Sequence, residues 1–225
     1  MSSTILDIAD LKISNQQKQL LHLPKLQIKQ GEIHSLIGES GSGKSLTLLA
    51  SIGLLPKKLS YTGGISIFNR ESEHYSEKSW EKLRGRRISM VFQEPMSALN
   101  PLMTCGKQLL ECLNTHEQLP KSEAQSKAEK ALSAAGIEEP LRIMDRFPHQ
   151  ISGGQRQRVM IAMACINKPD LVLADEPTTA LDTITASKVL QTLVDNCKQN
   201  NSALLLVSHD IEKVAKFSEY IHVLR

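Results

Sequence analysis

Apolar and polar residues alternate in two short runs near the start of the chain, Ile5 to Ile13 and Leu20 to Ile28. The polar stretch Ser14 to Lys18 separates them. Alternation with a period of two predicts strands with one buried face, and two such runs around a short turn predict a hairpin. The segment Gly63 to Ile67 looks like another strand of the same layer. We therefore predict an N-terminal antiparallel β-layer over residues about 4–34 and 61–68.

Four other apolar runs are continuous, which is typical of strands that are buried on both faces. They are Ile33–Ile37, Ile88–Phe92, Leu171–Ala174 and Ala203–Val207. Helical patterns lie between them, and parallel strands need such crossovers. The chain therefore predicts an α/β fold with a mostly parallel sheet, whose carboxyl ends meet along one edge where ligands bind.

A helical pattern replaces the strands in the middle of the chain. One helix should begin at Ser122, whose spacing from Gln125 fits a capping box, and end at Gly136. Its apolar face consists of Ala124, Ala128, Ala131, Leu132 and Ala135. We predict an α-helical subdomain over residues about 96–164.

This subdomain is an insertion rather than a separate globular domain, because strands of one core flank it. That core should cover residues about 35–95 and 165–225. A length of 225 residues suits one large domain. We predict a single domain over residues 1–225 with three parts.

Composition narrows the function classes. Lys and Arg total 27 against 24 Asp and Glu, and a net charge of +3 is too small to indicate nucleic acid. The four cysteines lie far apart and are typical of reduced, buried thiols rather than a metal site. No apolar run approaches the roughly 18 residues that a membrane span needs, and the polar start is no signal peptide. We expect a cytoplasmic protein.

A glycine-rich segment follows the first buried strand. Gly38, Gly43, Lys44 and Ser45 fit the pattern G-x-x-x-x-G-K-[ST], in its required setting of strand before and helix after. Glycines let backbone N–H groups converge on phosphate, Lys44 would reach the β- and γ-phosphates, and Ser45 would bind Mg2+. We predict a phosphate-loop NTPase core whose nucleotide contacts are Gly38, Glu39, Ser40, Gly41, Ser42, Gly43, Lys44, Ser45 and Leu46.

Polar side chains also follow the other three buried strands. Asp175 would hold Mg2+, and Glu176 beside it could take a proton from an attacking water. Gln93 could complete the metal shell and orient the water, and His209 could position the water or contact the γ-phosphate. We predict catalytic roles for Glu176, His209 and Gln93, and Mg2+ ligation by Ser45, Gln93 and Asp175.

A second pair of glycines occurs in the segment Ser152, Gly153, Gly154 and Gln155, which precedes a helix expected over Arg156 to Ile166. Glycines at a helix start make an anion-binding site. One nucleotide needs only one phosphate cradle, so the second suggests a nucleotide held mainly by another subunit.

Together these segments resemble the ATP-binding cassette ATPases over essentially the whole chain. In that family's terms they correspond to Walker A (Gly38–Ser45), the Q-loop (Gln93), the signature (Ile151–Gln155), Walker B (Leu171–Glu176), the D-loop (Ala180–Asp182) and the switch histidine (His209). The segments Phe92–Pro101 and Ala174–Asp182 are also similar to the oligopeptide, dipeptide and nickel importer branch.

The resemblance implies an ATPase that uses ATP and Mg2+ at the cytoplasmic face of the inner membrane. Two cassettes would close head to tail on two ATPs, each adding its signature and Asp182 to the other's site. They would drive integral membrane permease subunits, contacted around Glu94 to Thr104 and the helical insertion. A substrate-binding protein would deliver a peptide or nickel-type solute, and no nucleic-acid partner is expected.

The chain departs from the family's pattern at three places. No aromatic residue precedes Tyr61, although the family often stacks one from the N-terminal hairpin on adenine. The signature begins with Ile151 where leucine is usual. The sequence ends at Arg225, inside or just after a strand over Tyr220 to Leu224, and we expect an excised N-terminal cassette of a longer or fused chain.

Two other function classes stay open. One is a soluble cassette ATPase of the translation-factor or DNA-maintenance type. No heptad repeat is sustained between Ser45 and Ser152, which argues against the coiled coil of the DNA-maintenance relatives. The other is a catalytically silent binding module, against which the intact Lys44, Glu176 and His209 argue.

Overall fold

The computed structural model describes residues 3–179 and 181–224. The strands are β1 (Thr4–Ser14), β2 (Gln19–Lys29), β3 (Ile33–Ile37), β4 (Ser60–Ile67), β5 (Arg70–Glu71), β6 (Ile88–Val91), β7 (Leu171–Asp175), β8 (Ala203–Ser208) and β9 (Tyr220–Val223). The α-helices are α1 (Lys44–Ser51), α2 (Glu77–Leu83), α3 (Pro95–Ala98), α4 (Cys105–Asn114), α5 (Lys121–Ala134), α6 (Pro140–Met144), α7 (Gly153–Cys165), α8 (Thr183–Gln199) and α9 (Ile211–Ala215). Two short 3-10 turns lie at Ser72–His74 and Pro148–Gln150.

The central sheet has the order β6-β7-β8-β3-β9, and each of its neighbouring pairs is parallel. Side chains of β8 alternate between two apolar clusters: Leu204 and Leu206 pack towards the helices, and Leu205 and Val207 pack towards the other sheet. The continuous apolar runs are therefore strands covered on both faces, as the sequence predicts. Arg225, beyond β9, lies outside the described residues.

The second sheet has the order β2-β1-β4-β5 and is antiparallel. Its hairpin pairs Leu11 of β1 with Leu23 of β2, and both side chains are buried. Inward-facing residues of this sheet share one apolar cluster with α1 and with one face of the central sheet. The predicted antiparallel β-layer is confirmed, and it lies against the strand that leads into the glycine-rich segment.

Helices α4 and α5 pack on α7, and α6 packs on α4 and α5. All four share the apolar cluster that covers the other face of the central sheet. Ala124, Ala128 and Leu132 form the buried face of α5, as their spacing predicts. The predicted capping box of this helix is wrong. The helix begins at Lys121 directly after Pro120, and its N-cap has no side-chain hydrogen bond, since Ser122 already lies in the first turn.

Helix α7 begins three residues before the predicted Arg156, at Gly153. Ser152 is its N-cap: the Ser152 hydroxyl accepts from Gln155 N at 3.3 Å, and Gln155 Oε1 accepts from Ser152 N at 2.9 Å. This reciprocal capping box stabilises a helix start that two glycines would otherwise disfavour. Within residues 3–179 and 181–224, no helix combines the length and apolar character needed to cross a bilayer.

Candidate functional site

The glycine-rich loop connects β3 to α1 and needs its glycines for both conformation and space. Gly41 and Gly43 have φ angles of +83° and +93°, in the left-handed region. A Cβ on Gly38 would lie only 2.8 Å from Ser42 Oγ and from Leu224 O. The loop therefore presents a compact backbone concavity at the amino end of α1.

Lys44 is the charged group of this concavity and is 5% exposed. Its Nζ donates to the backbone oxygens of Gly38 and Glu39, each at 2.8 Å. No carboxylate of the described residues lies within ion-pair distance of this ammonium group. The Ser42 hydroxyl is also buried, and it has no hydrogen-bond partner among the described residues. A buried cation that forms no ion pair with a described residue, beside a free donor, fits a bound polyanion such as a triphosphate.

Ser45 and Asp175 bring two oxygen groups together beside the loop. Ser45 Oγ donates to Asp175 Oδ1 at 2.9 Å, and Asp175 is 8% exposed at the end of β7. Burial raises the pKa of Asp175, and the charge of Glu176 adds to this, whereas the Ser45 hydrogen bond and Lys44 oppose it. Hard oxygen ligands at a buried carboxylate suit Mg2+, whose charge would favour the ionised form.

Glu176 lies where three strand ends converge. Its Oε2 accepts from His209 Nδ1 at 3.0 Å and from Thr179 Oγ1 at 3.0 Å, and Gln93 Nε2 lies 3.5 Å away. These groups follow β8, β7 and β6, respectively. The predicted metal ligand Gln93 thus lies beside Glu176, with no hydrogen bond to Ser45 or Asp175.

The backbone of Glu176 is strained, with a φ of +41°. A non-glycine residue in this region costs on the order of 1 kcal/mol, and such strain is concentrated at functional positions. The conformation is held by a hydrogen bond from Glu176 N to Val207 O at 3.0 Å. Strain of this kind fixes the direction of the carboxylate.

Thr179 is a residue of this cluster to which the sequence assigns no role of its own. Its hydroxyl also lies 3.1 Å from Glu176 O, and its backbone N–H donates to the same oxygen. The available sequence signal is its place three residues after Glu176, where a turn brings a hydroxyl back to the carboxylate.

The second cradle lies apart from the glycine-rich loop. Ser152 is exposed at the start of α7, and a Cβ on Gly154 would lie 3.1 Å from Thr185 Cγ2 of α8. No hydrogen bond between described residues joins Ser152 or Gln155 to the loop. The structure thus shows Ser152 and Gln155 as the cap of α7, and a phosphate-binding role for this segment remains a prediction.

Asp182 caps helix α8. Its Oδ1 accepts from Thr185 N at 3.0 Å and from Ile184 N at 3.1 Å. Hydrogen bonds from Thr185, together with that from Ile184, lower the pKa of Asp182. Ala180, the first residue of the same predicted loop, lies outside the described residues. The exposed Asp182 thus orders the loop that packs beside the second cradle.

The fold and the glycine-rich loop define a phosphate-loop nucleotide-binding protein. The sequence profile of the ABC transporter family matches residues 21–179. This chain belongs to that family.

Curated relatives in the family include ATP-binding proteins of peptide transport. The chain is 38% identical over 214 residues to the oligopeptide transport ATP-binding protein OppD of Lactococcus lactis subsp. cremoris (strain SK11), covering 95% of this chain and 63% of that protein. It is 39% identical over 230 residues to the probable D,D-dipeptide transport ATP-binding protein DdpD of Escherichia coli (strain K12), covering 100% of this chain and 70% of that protein. The chain thus spans less than two thirds of the length of the first relative.

Solved structures extend this similarity to the fold. A dimeric structure of the ATP-binding cassette MJ0796, bound to ADP and Pi in a post-hydrolysis state, matches with a TM-score of 0.84 and 32% identity, covering 98% of this chain and 94% of that one. The cbiO1 protein of Clostridium perfringens, part of the transporter complex cbiONQ, matches with a TM-score of 0.85 and 29% identity, covering 99% and 85%.

Proposed function

We propose that this chain is the ATP-binding and ATP-hydrolysing domain of an importer for peptides or a related small solute. The observation that carries the proposal is the buried ammonium group of Lys44, held by two loop carbonyls beside the Ser45 and Asp175 pair. The names of the relatives, which refer to oligopeptide and D,D-dipeptide transport, support the class of solute.

The described residues divide the chemistry among themselves. Lys44 and the loop N–H groups would bind the phosphates, because an ammonium group and converging amides match their negative charge. Bound Mg2+ neutralises charge on the phosphates, and Ser45 and Asp175 would hold it. Glu176 would accept a proton from the attacking water, while His209 keeps the carboxylate oriented through its 3.0 Å hydrogen bond.

The second cradle supports a head-to-tail pair of cassettes. Its Ser152 is exposed and lies apart from the chain's own glycine-rich loop, so it is free to meet a nucleotide held by a partner cassette. A relative of this fold is described as dimeric with ADP and Pi bound. We place the assembly at the cytoplasmic face of the membrane, next to permease subunits that a substrate-binding protein supplies.

Gly153→Asp tests this pairing. A Cβ at Gly153 meets only Arg156 Nη2 at 3.8 Å and Leu181 Cδ2 at 3.9 Å, and an acidic residue in the first turn favours a helix. The variant should fold, and each single chain should still bind ATP at its own glycine-rich loop. Its carboxylate would repel the partner's triphosphate, so ATP-driven dimerisation should weaken by roughly tenfold or more.

Sedimentation velocity with Mg2+ and ATP measures this effect, in a chain that also carries Glu176→Gln so that bound ATP persists. Gly153→Ala, which adds the Cβ without the charge, is the matched control and should dimerise nearly normally. A Gly153→Asp chain that dimerises as well as this control would contradict the two-cassette arrangement.

An apolar groove supports a permease contact near the predicted coupling surface. A cavity of about 270 Å³ lies between the central sheet and the helical insertion, and its lining includes Leu54, Phe92, Leu99 and Met163. Phe92 and Leu54 are 45% and 44% exposed. An exposed apolar surface of this kind is typical of a protein interface, and a short amphipathic helix of the permease fits such a groove.

Phe92→Glu should weaken this contact strongly, because a carboxylate that is covered by an apolar helix face loses its hydration. Co-purification of the permease subunits from membranes should fall by roughly tenfold or more. Ile211→Glu on α9, which alters a large exposed apolar residue outside the helical insertion and the segment Glu94 to Thr104, should leave co-purification unchanged. Equal recovery of permease with both variants would argue against docking in this groove.

A further inference from the structure

Two histidines form a hydrogen-bonded stack between the neighbouring strands β3 and β9 of the central sheet. His34 of β3 is 2% exposed, and its Nδ1 lies 3.0 Å from Nε2 of His222 on β9. The other ring nitrogen, Nε2, lies 3.0 Å from Glu32 Oε2. The His34 ring also stacks on Tyr220 and on His222, with centroid distances of 4.5 and 5.2 Å.

The contacts define one consistent neutral arrangement. His34 Nε2–H donates to the Glu32 carboxylate, so Nδ1 is unprotonated and accepts from His222 Nε2–H. Burial lowers the pKa of His34, which Glu32 and Glu219 oppose, and burial together with His34 lowers the pKa of His222. Hydrogen bonds from Lys29 N and His34 outweigh burial and lower the pKa of Glu32, so its carboxylate stays ionised.

The pair can accept one proton but not two. A single proton on His34 is accommodated if His222 changes tautomer and offers an unprotonated Nε2. A second proton places two N–H groups and two positive charges against each other across 3.0 Å, and Glu32 can neutralise only one of them. Beyond Glu32, the charged and titratable groups around the pair are Lys29, Glu219 and Tyr220.

His222 is the β9 residue that is not exposed, and its hydrogen bond to His34 joins β9 to β3. Three of the four β9 side chains are exposed: Tyr220 by 50%, Ile221 by 40% and Val223 by 61%. Its backbone pairs with β3 in parallel, from His34 with Tyr220 to Ile37 with Val223. Protonation that separates His222 from His34 would therefore remove a side-chain contact between these two strands.

The end of β9 closes against the glycine-rich loop. Leu224 N donates to Ile37 O at 2.8 Å, and a Cβ on Gly38 would meet Leu224 O at 2.8 Å and Leu224 Cβ at 3.2 Å. Gly38 O in turn accepts from Lys44. Movement of β9 therefore alters the backbone that positions the phosphate-binding ammonium group.

We propose that the His34 and His222 pair is a proton-sensitive clamp, which releases β9 on acidification and thereby weakens nucleotide binding at the adjacent loop. The release of β9 stands on the contacts above, and its effect on nucleotide rests on the proposed function. The sign follows from linkage: the unfolded histidines bind more protons, so the stability from the pair is present above pH 6.5 and is lost as the pH falls below it.

Hydrogen exchange of the β9 peptide tests the clamp without nucleotide. After correction for intrinsic rates, acidification from about pH 7.5 to about pH 5 should raise β9 exchange roughly tenfold in the unmodified chain. His222→Gln keeps one amide donor and removes the second charge, so its exchange should change little. His22→Gln, which removes an exposed histidine paired with Asp10, is the matched control and should behave like the unmodified chain.

Calorimetric titration with Mg2+ and a non-hydrolysable ATP analogue at the same two pH values tests the coupling. Acidification should weaken binding of the analogue roughly fivefold more in the unmodified chain than in His222→Gln. Because the analogue itself titrates equally in both experiments, comparing the two chains removes that contribution. Equal acid-induced exchange in both chains would overturn the clamp, and exchange that differs without a difference in affinity would overturn its coupling to nucleotide. Absence of nucleotide binding at both pH values would refute the proposed function, and the exchange experiment would still decide the clamp.

Discussion

ATP turnover of a Glu176→Gln chain is expected to fall about 100- to 10,000-fold, the range typical of losing a general base. Glutamine has the shape of glutamate, so its amide oxygen can still accept from Thr179 and His209. It cannot take a proton from water at neutral pH. Binding should therefore survive while the chemical step is lost. Phosphate release measures turnover, and titration with ATP and Mg2+ measures affinity.

Glu94→Gln is the matched control, because this exposed carboxylate lies next to Gln93 and caps α3 through Met96 N. Its turnover should stay within about twofold of the unmodified chain. If the ATP turnover of Glu176→Gln also stays within about twofold of the unmodified chain, the general-base assignment is wrong.

Lys44→Ala should weaken ATP binding by roughly 10- to 100-fold. A hydrogen bond to a charged group contributes about 1.5–3 kcal/mol, and each 1.4 kcal/mol corresponds to about tenfold in affinity. The loss falls on binding itself, since the ammonium group is the buried cation of the loop. Calorimetric titration with Mg2+ and a non-hydrolysable ATP analogue measures it.

Lys58→Ala removes an exposed lysine with the same formal charge and should bind the analogue normally. Far-ultraviolet circular dichroism of Lys44→Ala checks that the chain still folds, because the carbonyls of Gly38 and Glu39 lose their donor. A folded Lys44→Ala chain with unchanged affinity would remove the main support for the proposed nucleotide site.

Local patterns explain how much of the fold could be predicted. Continuous apolar runs identify the buried strands, and alternation identifies the β1 and β2 hairpin, because both depend on the residues of one segment. The predicted start of α5 at a capping box is wrong, because Ser122 and Gln125 lie within a helix that begins at Lys121, directly after Pro120. Helix α7 begins three residues before the predicted Arg156, because a capping box compensates for the low helix propensity of two glycines.

The site divides in a similar way. The rule that parallel strands end at one edge predicts that Gln93, Glu176 and His209 lie together, and their polar atoms do meet. The contact of Leu224 with Gly38 could not be predicted, because no local signal specifies which strand borders the loop. The pairing of His34 with His222, 188 positions apart, depends on the same strand order.

The two oxygens of the Glu176 carboxylate are chemically unequal. The side-chain donors from Gln93, Thr179 and His209 all approach Oε2, and within the described part of the chain no hydrogen bond reaches Oε1. Donated hydrogen bonds withdraw electron density, so Oε1 is the more basic atom and would receive the proton in the proposed hydrolysis. If Glu176 is the general base, the cluster would direct proton transfer to this one atom, and removing a donor would let the carboxylate rotate and exchange the roles of its oxygens.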